Sequence, residues 1–270
     1  MSPAELNLAI DWAAAEGWNP GLHDVDAFYA TDPSGFFIGK LDREPVAVIS
    51  AVRYDDQFGF LGFYIVHPEH RGNGYGYQLW QAGMAYLGER NVGLDGVVAE
   101  QANYRQSGFQ YAYANERYEG QGGGVFPVSV VSLDEVPFEQ VLAYDTACFT
   151  RPRLAFLNRW IRQPQGAALG VLRGDRLAGY GVIRACRRGH KIGPLFADDA
   201  DAAETLFQAL ACTVPDEPLF LDVPRANPEA LALVERHRMQ PVFETARMYT
   251  RGDPGVPVER VFGVTTFELG

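Results

Sequence analysis

The densest chemistry in this 270-residue chain lies in residues 60–87. An apolar run, Phe60–Val66, leads into Arg71-Gly72-Asn73-Gly74-Tyr75-Gly76, and that loop opens a helical pattern over Gly76–Leu87. Glycines at alternate positions let the backbone turn tightly and aim several N–H groups the same way. The helix behind them adds its own unpaired N–H groups and the positive end of its dipole. Such a cradle suits a diphosphate, and Arg71 at its head adds a charge-assisted contact to the same anion. A dinucleotide loop fits less well, because it needs Gly-x-Gly-x-x-Gly after the first strand of a βαβ unit. Here the spacing is Gly-x-Gly-x-Gly, several strands precede it, and Arg71 stands in front. A purely structural glycine turn is the other alternative.

The elements that must hold this loop can be read from periodicity and turn chemistry. Ser2–Glu16 reads as a capped helix, followed by strands at Gly35–Leu41, Pro45–Val52 and Phe60–Val66. After the Gly76–Leu87 helix come a strand at Gly96–Glu100, a polar helical turn and a strand at Phe109–Tyr118. Glu119-Gly120-Gln121-Gly122-Gly123-Gly124 reads as a flexible break, which divides the chain into 1–124 and 125–270. Beyond it, strand Val128–Leu133 is followed by helices Pro137–Cys148 and Arg153–Arg162, then a hairpin of Ala167–Leu172 with Leu177–Ile183 around Gly174-Asp175. A short apolar run, Lys191–Phe196, precedes helix Asp198–Ala211 and strand Leu219–Val223. Asn227-Pro228 starts a helix to Arg238, and strands Val242–Tyr249 and Val261–Leu269 complete the pattern. Both halves show the same mixed α/β order, a weak repeat of elements rather than of residues.

Strand, Arg-Gly-x-Gly-x-Gly loop and helix together resemble the acyl-coenzyme A signature of the GNAT N-acetyltransferase superfamily, including its lead-in Val66-His67-Pro68-Glu69-His70. A second fragment, Tyr104-Arg105-Gln106-Ser107-Gly108-Phe109, matches that family's Tyr, three residues, Gly-Phe. The resemblance implies a fold of tandem GNAT-like α/β units, mixed and mostly antiparallel sheets flanked by helices. It implies acetyl-CoA as co-substrate, cradled by Arg71, Gly72, Asn73, Gly74, Tyr75 and Gly76. The main chain of Tyr64, Ile65 and Val66 would pair with the pantetheine arm as an added strand does, and an N–H there would polarise the thioester carbonyl. Tyr104 stands where the family's tyrosine protonates the departing thiolate, and a thiolate leaving group benefits from a nearby O–H donor. The alternative for Tyr104 is packing alone.

Direct attack by an amine requires a neutral nitrogen, so a base must take its proton. Glu100, at the end of its strand, is the first candidate, and Asp55 and Asp56 are alternatives; each is otherwise a solvated carboxylate. His67 and His70 form a His-x-x-His pair with no further ligands nearby, so no metal is expected.

The second half resembles an incomplete lobe of the same kind. Leu221-Asp222-Val223 and Asn227-Pro228-Glu229-Ala230 fit the family's strand and helix start. Val234 falls where the tyrosine would be, and Lys191–Phe196 is followed by Ala197-Asp198-Asp199 rather than a glycine loop. This lobe is therefore expected to bind no coenzyme. Arg184, Arg187, Arg188, His190 and Lys191 form a basic run, read either as a contact for an acidic group or phosphates or, preferentially, as a solvated hairpin. Asp222 and Glu268 could line an amine pocket or be satisfied by arginines such as Arg247. Segments 180–196 and 262–270 resemble bacterial acetyltransferases with this two-part layout.

Composition narrows the partners. The net charge is -11, and residues 1–125 hold 7 Lys+Arg against 16 Asp+Glu. That field repels nucleic acid and mildly favours a cationic small molecule or lysine-like amine, although solubility alone would also account for it. Three scattered cysteines, and no basic-then-apolar leader or membrane-length run, point to a cytoplasmic protein without a membrane partner. A homodimer stays open. The expected activity is acetyl transfer from acetyl-CoA to a primary amine in a ternary complex. A non-catalytic acyl-CoA sensor is the alternative, and an aminoacyl transferase ranks last because it predicts a basic groove and needs no glycine loop.

Overall fold

Local signals start and stop most elements of the computed structural model, which describes residues 1–270. Ser2 accepts from the Glu5 N–H while Glu5 accepts from the Ser2 N–H, and this capping box starts α1 (Pro3–Ala15). Its Leu6, Ala9, Ile10 and Ala13 face inward at helical spacing. Helix α2 (Asp24–Thr31) precedes β1 (Phe36–Leu41), β2 (Glu44–Arg53) and β3 (Phe58–Val66). The glycine loop then opens α3 (Tyr75–Leu87), followed by β4 (Asn91–Val97), α4 (Gln101–Gln106) and β5 (Gln110–Gln121). The second half runs β6 (Val130–Ser132), α5 (Phe138–Phe149), α6 (Leu154–Trp160), β7 (Gly166–Arg173), β8 (Arg176–Ala185) and β9 (His190–Ala197). It ends with α7 (Ala200–Cys212), β10 (Pro218–Pro224), α8 (Pro228–Arg236), β11 (Gln240–Tyr249) and β12 (Val261–Gly263). No helix is long and apolar enough to cross a membrane.

The structure departs from the sequence reading at four places. Helix α2 was not anticipated: Asp24, at its start, is buried and meets Arg184 at 3.0 Å, a partner 160 residues away. The strand expected at Gly96–Glu100 lies earlier, at Asn91–Val97, and residues 98–100 form a 3₁₀ turn. This strand buries Asp95, whose charge is met by Arg247 at 2.6 Å and Asn115 at 2.7 Å. The break at Glu119–Gly124 begins as strand, because residues 119–121 of β5 pair with β10. Strand Val261–Leu269 stops at Gly263, and residues 264–270 leave the sheet.

All strands join one sheet in the order β1-β2-β3-β4-β11-β5-β10-β9-β8-β7-β6, with β12 on β9. Neighbours are antiparallel except β3 with β4 and β9 with β10. Strand β11 from the second half lies between β4 and β5, and β5 from the first half pairs with β10. The halves are thus interlocked by main-chain ladders. The largest apolar core also spans them: Phe28 of α2 packs edge-on to Phe63 of β3 at 5.7 Å and stacks on Trp160 of α6 at 5.9 Å. Helix α3 closes one face of the first half, and α7 and α8 close one face of the second.

Charges are buried where the halves meet. Arg117 of β5 grips Asp222 of β10 through two bonds of 2.6 and 2.8 Å and donates to the Trp18 carbonyl at 2.6 Å. Lys191 of β9 stands 4.0 Å from the same carboxylate and donates to the Asn19 carbonyl at 3.0 Å. Burial works to raise Asp222, but Arg117 and Lys191 more than offset it and hold the carboxyl below its ordinary 3.8. A carboxylate lowered on folding stabilises the protein above its unfolded value, and that contribution disappears as pH falls through the folded value. Arg117→Met, which leaves Asp222 without its bidentate partner, is expected to cost about 3–5 kcal/mol. Urea unfolding at pH 7 measures that loss. The same measurement repeated toward acid should show the difference between wild type and Asp222→Asn shrinking as the wild-type carboxylate protonates.

Candidate active site

The site begins where two parallel strands part. Strands β3 and β4 pair from Phe58 with Asn91 to Leu61 with Leu94, and no further. Beyond that point Gly62–Val66 and Asp95–Val97 diverge and wall a cavity of about 440 Å³. On its other edge β3 carries a bulge: Ser50 pairs with Gly62 and Val48 with Ile65, so Ile49 faces both Phe63 and Tyr64. Phe63 sits at φ 46°, an unfavourable conformation for an aromatic residue, held by the burial of its ring. The bulge re-aims the main chain of residues 63–66 relative to the ladder. Tyr64, Ile65 and Val66, the expected pantetheine-pairing residues, all line the cavity.

The glycine loop takes the form its sequence predicts. Gly72 and Gly74 lie at φ 81° and 80°, where side chains are strained. Asn73 closes the turn by donating to the His70 carbonyl at 3.2 Å. Gly74 is the N-cap of α3, and no side chain caps that end, so its first N–H groups face outward. Gly76 is needed for packing: a Cβ there would lie 2.7 Å from Val66 and 2.8 Å from the Tyr64 hydroxyl. Its absence lets the start of α3 sit directly on the end of β3. Tyr75 flanks the loop, its ring edge-on to His70 at 6.2 Å. Arg71 donates to the Val66 carbonyl at 3.0 Å and forms an ion pair with Glu16, at the end of α1. The loop's arginine is therefore aligned along the cavity mouth. His67 lies between Trp12 and His70 at ring distances of 5.4 and 5.8 Å.

Tyr104 of α4 is buried and borders the cavity. Its ring lies 5.7 Å from Trp80 in a near-parallel stack, over β4 at Gly96, where any side chain would collide with it. The hydroxyl makes no hydrogen bond with the protein and is not sealed, so it faces the cavity. Burial, reinforced by the Glu100 charge, pushes it far above its ordinary 10, which keeps the proton on it. Glu100 lies at the rim, exposed, and accepts from Asn103 at 2.6 Å. Asp55 and Asp56 lie away from the cavity; Asp55 caps the β2–β3 turn and pairs with Arg151 at 3.0 Å.

The second half contributes what sequence reading largely missed. Phe243 and Thr245 of β11, together with Phe267 and Glu268, line the same cavity. Nothing local marks Phe243 or Thr245, because they arrive only through the insertion of β11 beside β4. Segment 264–270 is held by Tyr54, which donates to the Leu269 carbonyl at 2.7 Å, and by Arg153, which donates to Thr265 at 2.9 Å and to Gly270 at 3.4 Å. Gly62 admits this segment, since a Cβ there would overlap the Glu268 carbonyl.

The equivalent opening in the second half is filled. Strands β9 and β10 pair only from Leu219 with His190 to Leu221 with Ile192. Past that point β12 pairs with β9, and the Val264 N–H donates to the Asp222 carbonyl at 2.9 Å. Gly193 lies against the Thr265 carbonyl with no room for a side chain. The chain thus occupies this gap with its own residues 261–265. The basic run is not a solvated hairpin throughout. Arg184 and Lys191 are buried, whereas Arg187 and Arg188 are exposed and pair with Asp11 and Glu119. Arg247 serves Asp95 rather than Asp222 or Glu268.

Similarity to known proteins agrees with this geometry. Residues 6–109 match the acetyltransferase (GNAT) family, and residues 141–263 match an acetyltransferase (GNAT) domain. The chain is 30% identical over 271 residues to a holothin acyltransferase from Pseudoalteromonas sp. (strain SANK 73390), covering 98% of this chain and 92% of that one. It superposes on a crystal structure of a putative acetyltransferase from Pyrococcus horikoshii with a TM-score of 0.86 at 20% identity, over 100% of this chain and 94% of the other. A tandem GNAT protein from the clavulanic acid biosynthesis pathway gives 0.64 at 13% identity, over 92% and 96%. With one parted strand pair left open beside a glycine loop and the second filled, this chain belongs to the GNAT superfamily of acyltransferases as a two-lobed member.

Proposed function

We propose that this protein transfers an acetyl group from acetyl-CoA to the primary amine of a small molecule, directly and within a ternary complex. The observation that carries the reading is the open gap between β3 and β4, which reaches from Arg71 at the head of the glycine loop to the free Tyr104 hydroxyl. The coenzyme's diphosphate sits on the N–H groups of residues 74–77, with Arg71 sharing its charge between that anion and Glu16. Its pantetheine arm adds to the exposed edge of residues 64–66. A holothin acyltransferase among the relatives favours a small-molecule acceptor. The three cysteines are free, which suits a cytoplasmic setting.

The chemistry then follows from the groups present. A neutral amine attacks the thioester carbonyl, forming the N–C bond, while a main-chain N–H of the bulged strand stabilises the oxyanion. The C–S bond breaks, Tyr104 gives its proton to the departing sulfur, and a carboxylate at the cavity takes the proton released by nitrogen. Glu100 at the rim can pass protons to solvent.

Calorimetric titration with acetyl-CoA should give one site per chain, since residues 261–265 occupy the second gap. Gly74→Val should weaken that binding by about tenfold or more, because it places a β-branched residue at a positive φ that costs about 1–3 kcal/mol. Two sites per chain would overturn the filled-gap argument, and no binding to folded protein would overturn the enzyme reading. Tyr104→Phe should bind acetyl-CoA normally yet lower kcat by about 100-fold. Full turnover in that variant would remove Tyr104 from the mechanism.

A further inference from the structure

Among the buried carboxylates where the halves meet, Glu268 differs from the others. Asp222 is held by Arg117, Asp95 by Arg247, Asp145 by Arg153 and Asp24 by Arg184, each within 3.0 Å. Glu268 accepts no hydrogen bond through its carboxylate and has no cation within 4.0 Å. It is only 4% exposed, yet neither oxygen is sealed, so what they touch is the cavity that the residue lines. Leaving a carboxylate this buried and unpaired is costly unless something else meets it. Its place is also telling. The main chain of Glu268 lies hard against Gly62, one residue beyond the last β3–β4 pair, at the point where the strands part.

Thr245 of β11 also lines the cavity, but its unpartnered hydroxyl is itself sealed off. Around Glu268 the walls are flat and apolar: Trp18, Phe243 and Phe267, the last two 6.2 Å apart. The cations nearby are already engaged. Arg117 lies 5.0 Å behind the Phe267 ring but turns to Asp222 and the Trp18 carbonyl, and Arg71 turns to Glu16 and the Val66 carbonyl. This end of the cavity therefore offers an anion and aromatic faces, and no free positive charge.

We propose, building on the acetyl-transfer reading, that Glu268 receives the proton of the acceptor's amine and that the acceptor is a small flat amine without negative charge. The amine enters as its cation, attracted by the carboxylate and by the aromatic faces. It gives one proton to Glu268 and attacks as the neutral base. The Glu268 proton leaves through water at the rim past Glu100, and the second nitrogen proton, lost as the tetrahedral intermediate collapses, passes through water to restore Tyr104 as it protonates the sulfur. Burial raises the Glu268 carboxyl, as does Asp24 of α2, while Lys191 of β9, Arg117 of β5 and Arg184 of β8 pull it down; the balance is upward from 4.5. A raised carboxylate is the better proton acceptor near neutral pH.

The test uses full-length protein saturated with coenzyme A, with tryptamine as the flat cationic probe and indole-3-acetate as its anionic counterpart. Tryptamine should bind at one site by calorimetry, and indole-3-acetate should not. Glu268→Gln should keep its affinity for acetyl-CoA, which reports on the fold and the donor site separately, yet lose tryptamine by about tenfold or more. With tryptamine as acceptor, Glu268→Gln should lower kcat by about 100-fold and abolish the acid limb of the wild-type pH profile. Equal tryptamine affinity in Glu268→Gln, equal binding of the two indoles, or an acid limb retained in Glu268→Gln but removed by Glu100→Gln would overturn the proposal. Loss of acetyl-CoA binding by wild type would instead overturn the reading on which it rests.

Discussion

Two adjacent parallel strands that stop pairing leave main-chain N–H and C=O groups facing a gap, and buried backbone polar groups do not stay unpaired. The rest of this molecule is organised around that constraint. It arises twice, after Leu61 with Leu94 in the first half and after Leu221 with Ile192 in the second. In the second half the chain meets the need itself: β12 and Val264 enter the gap and supply main-chain partners. In the first half no strand enters the gap, which stays open as a cavity, and β3 runs on into the glycine loop and the uncapped start of α3. The same geometric event therefore yields a plugged gap on one side and an open cavity on the other.

Interlocking explains how a lobe without a coenzyme loop still shapes the site. Because β11 lies between β4 and β5, Phe243 and Thr245 reach the cavity of the other half, and segment 264–270 follows to the floor of the gap. Neither could be held there by a loosely docked domain. The ladders supply rigidity, and buried ion pairs across the junction, Arg117 with Asp222 and Arg184 with Asp24, add orientation. Such pairs contribute modestly to net stability but are costly to break, so they favour one arrangement of the halves over near alternatives. Of the acidic residues buried at the junction, the one left without a cation borders the cavity.

Much of this was legible before any coordinates. The alternation of elements, the Ser2 cap, the hairpin at Gly174-Asp175 and the Asn227-Pro228 helix start all act over a few residues, and each forms as read. The glycine loop was legible for the same reason, since positive φ at Gly72 and Gly74 and close packing at Gly76 are requirements of the local backbone. The failures share the opposite property. Helix α2, the early position of β4 and the strand character of residues 119–121 depend on Arg184, Arg247 and β10, all distant in sequence.

The sequence by itself determined the geometry of the glycine loop, because a loop, its helix and the strand before it are contiguous and their geometry follows from neighbouring residues. Only the tertiary structure decided the wall of the cavity that the second half supplies. Burial, the pairing of charges and the lining of a gap are set by strand order, and strand order here brings residues 243–268 beside residues 61–104. The sequence could name Glu268 as a carboxylate of interest. That it alone, among the acidic residues buried at the junction, would be left without a cation follows from where every arginine finally goes.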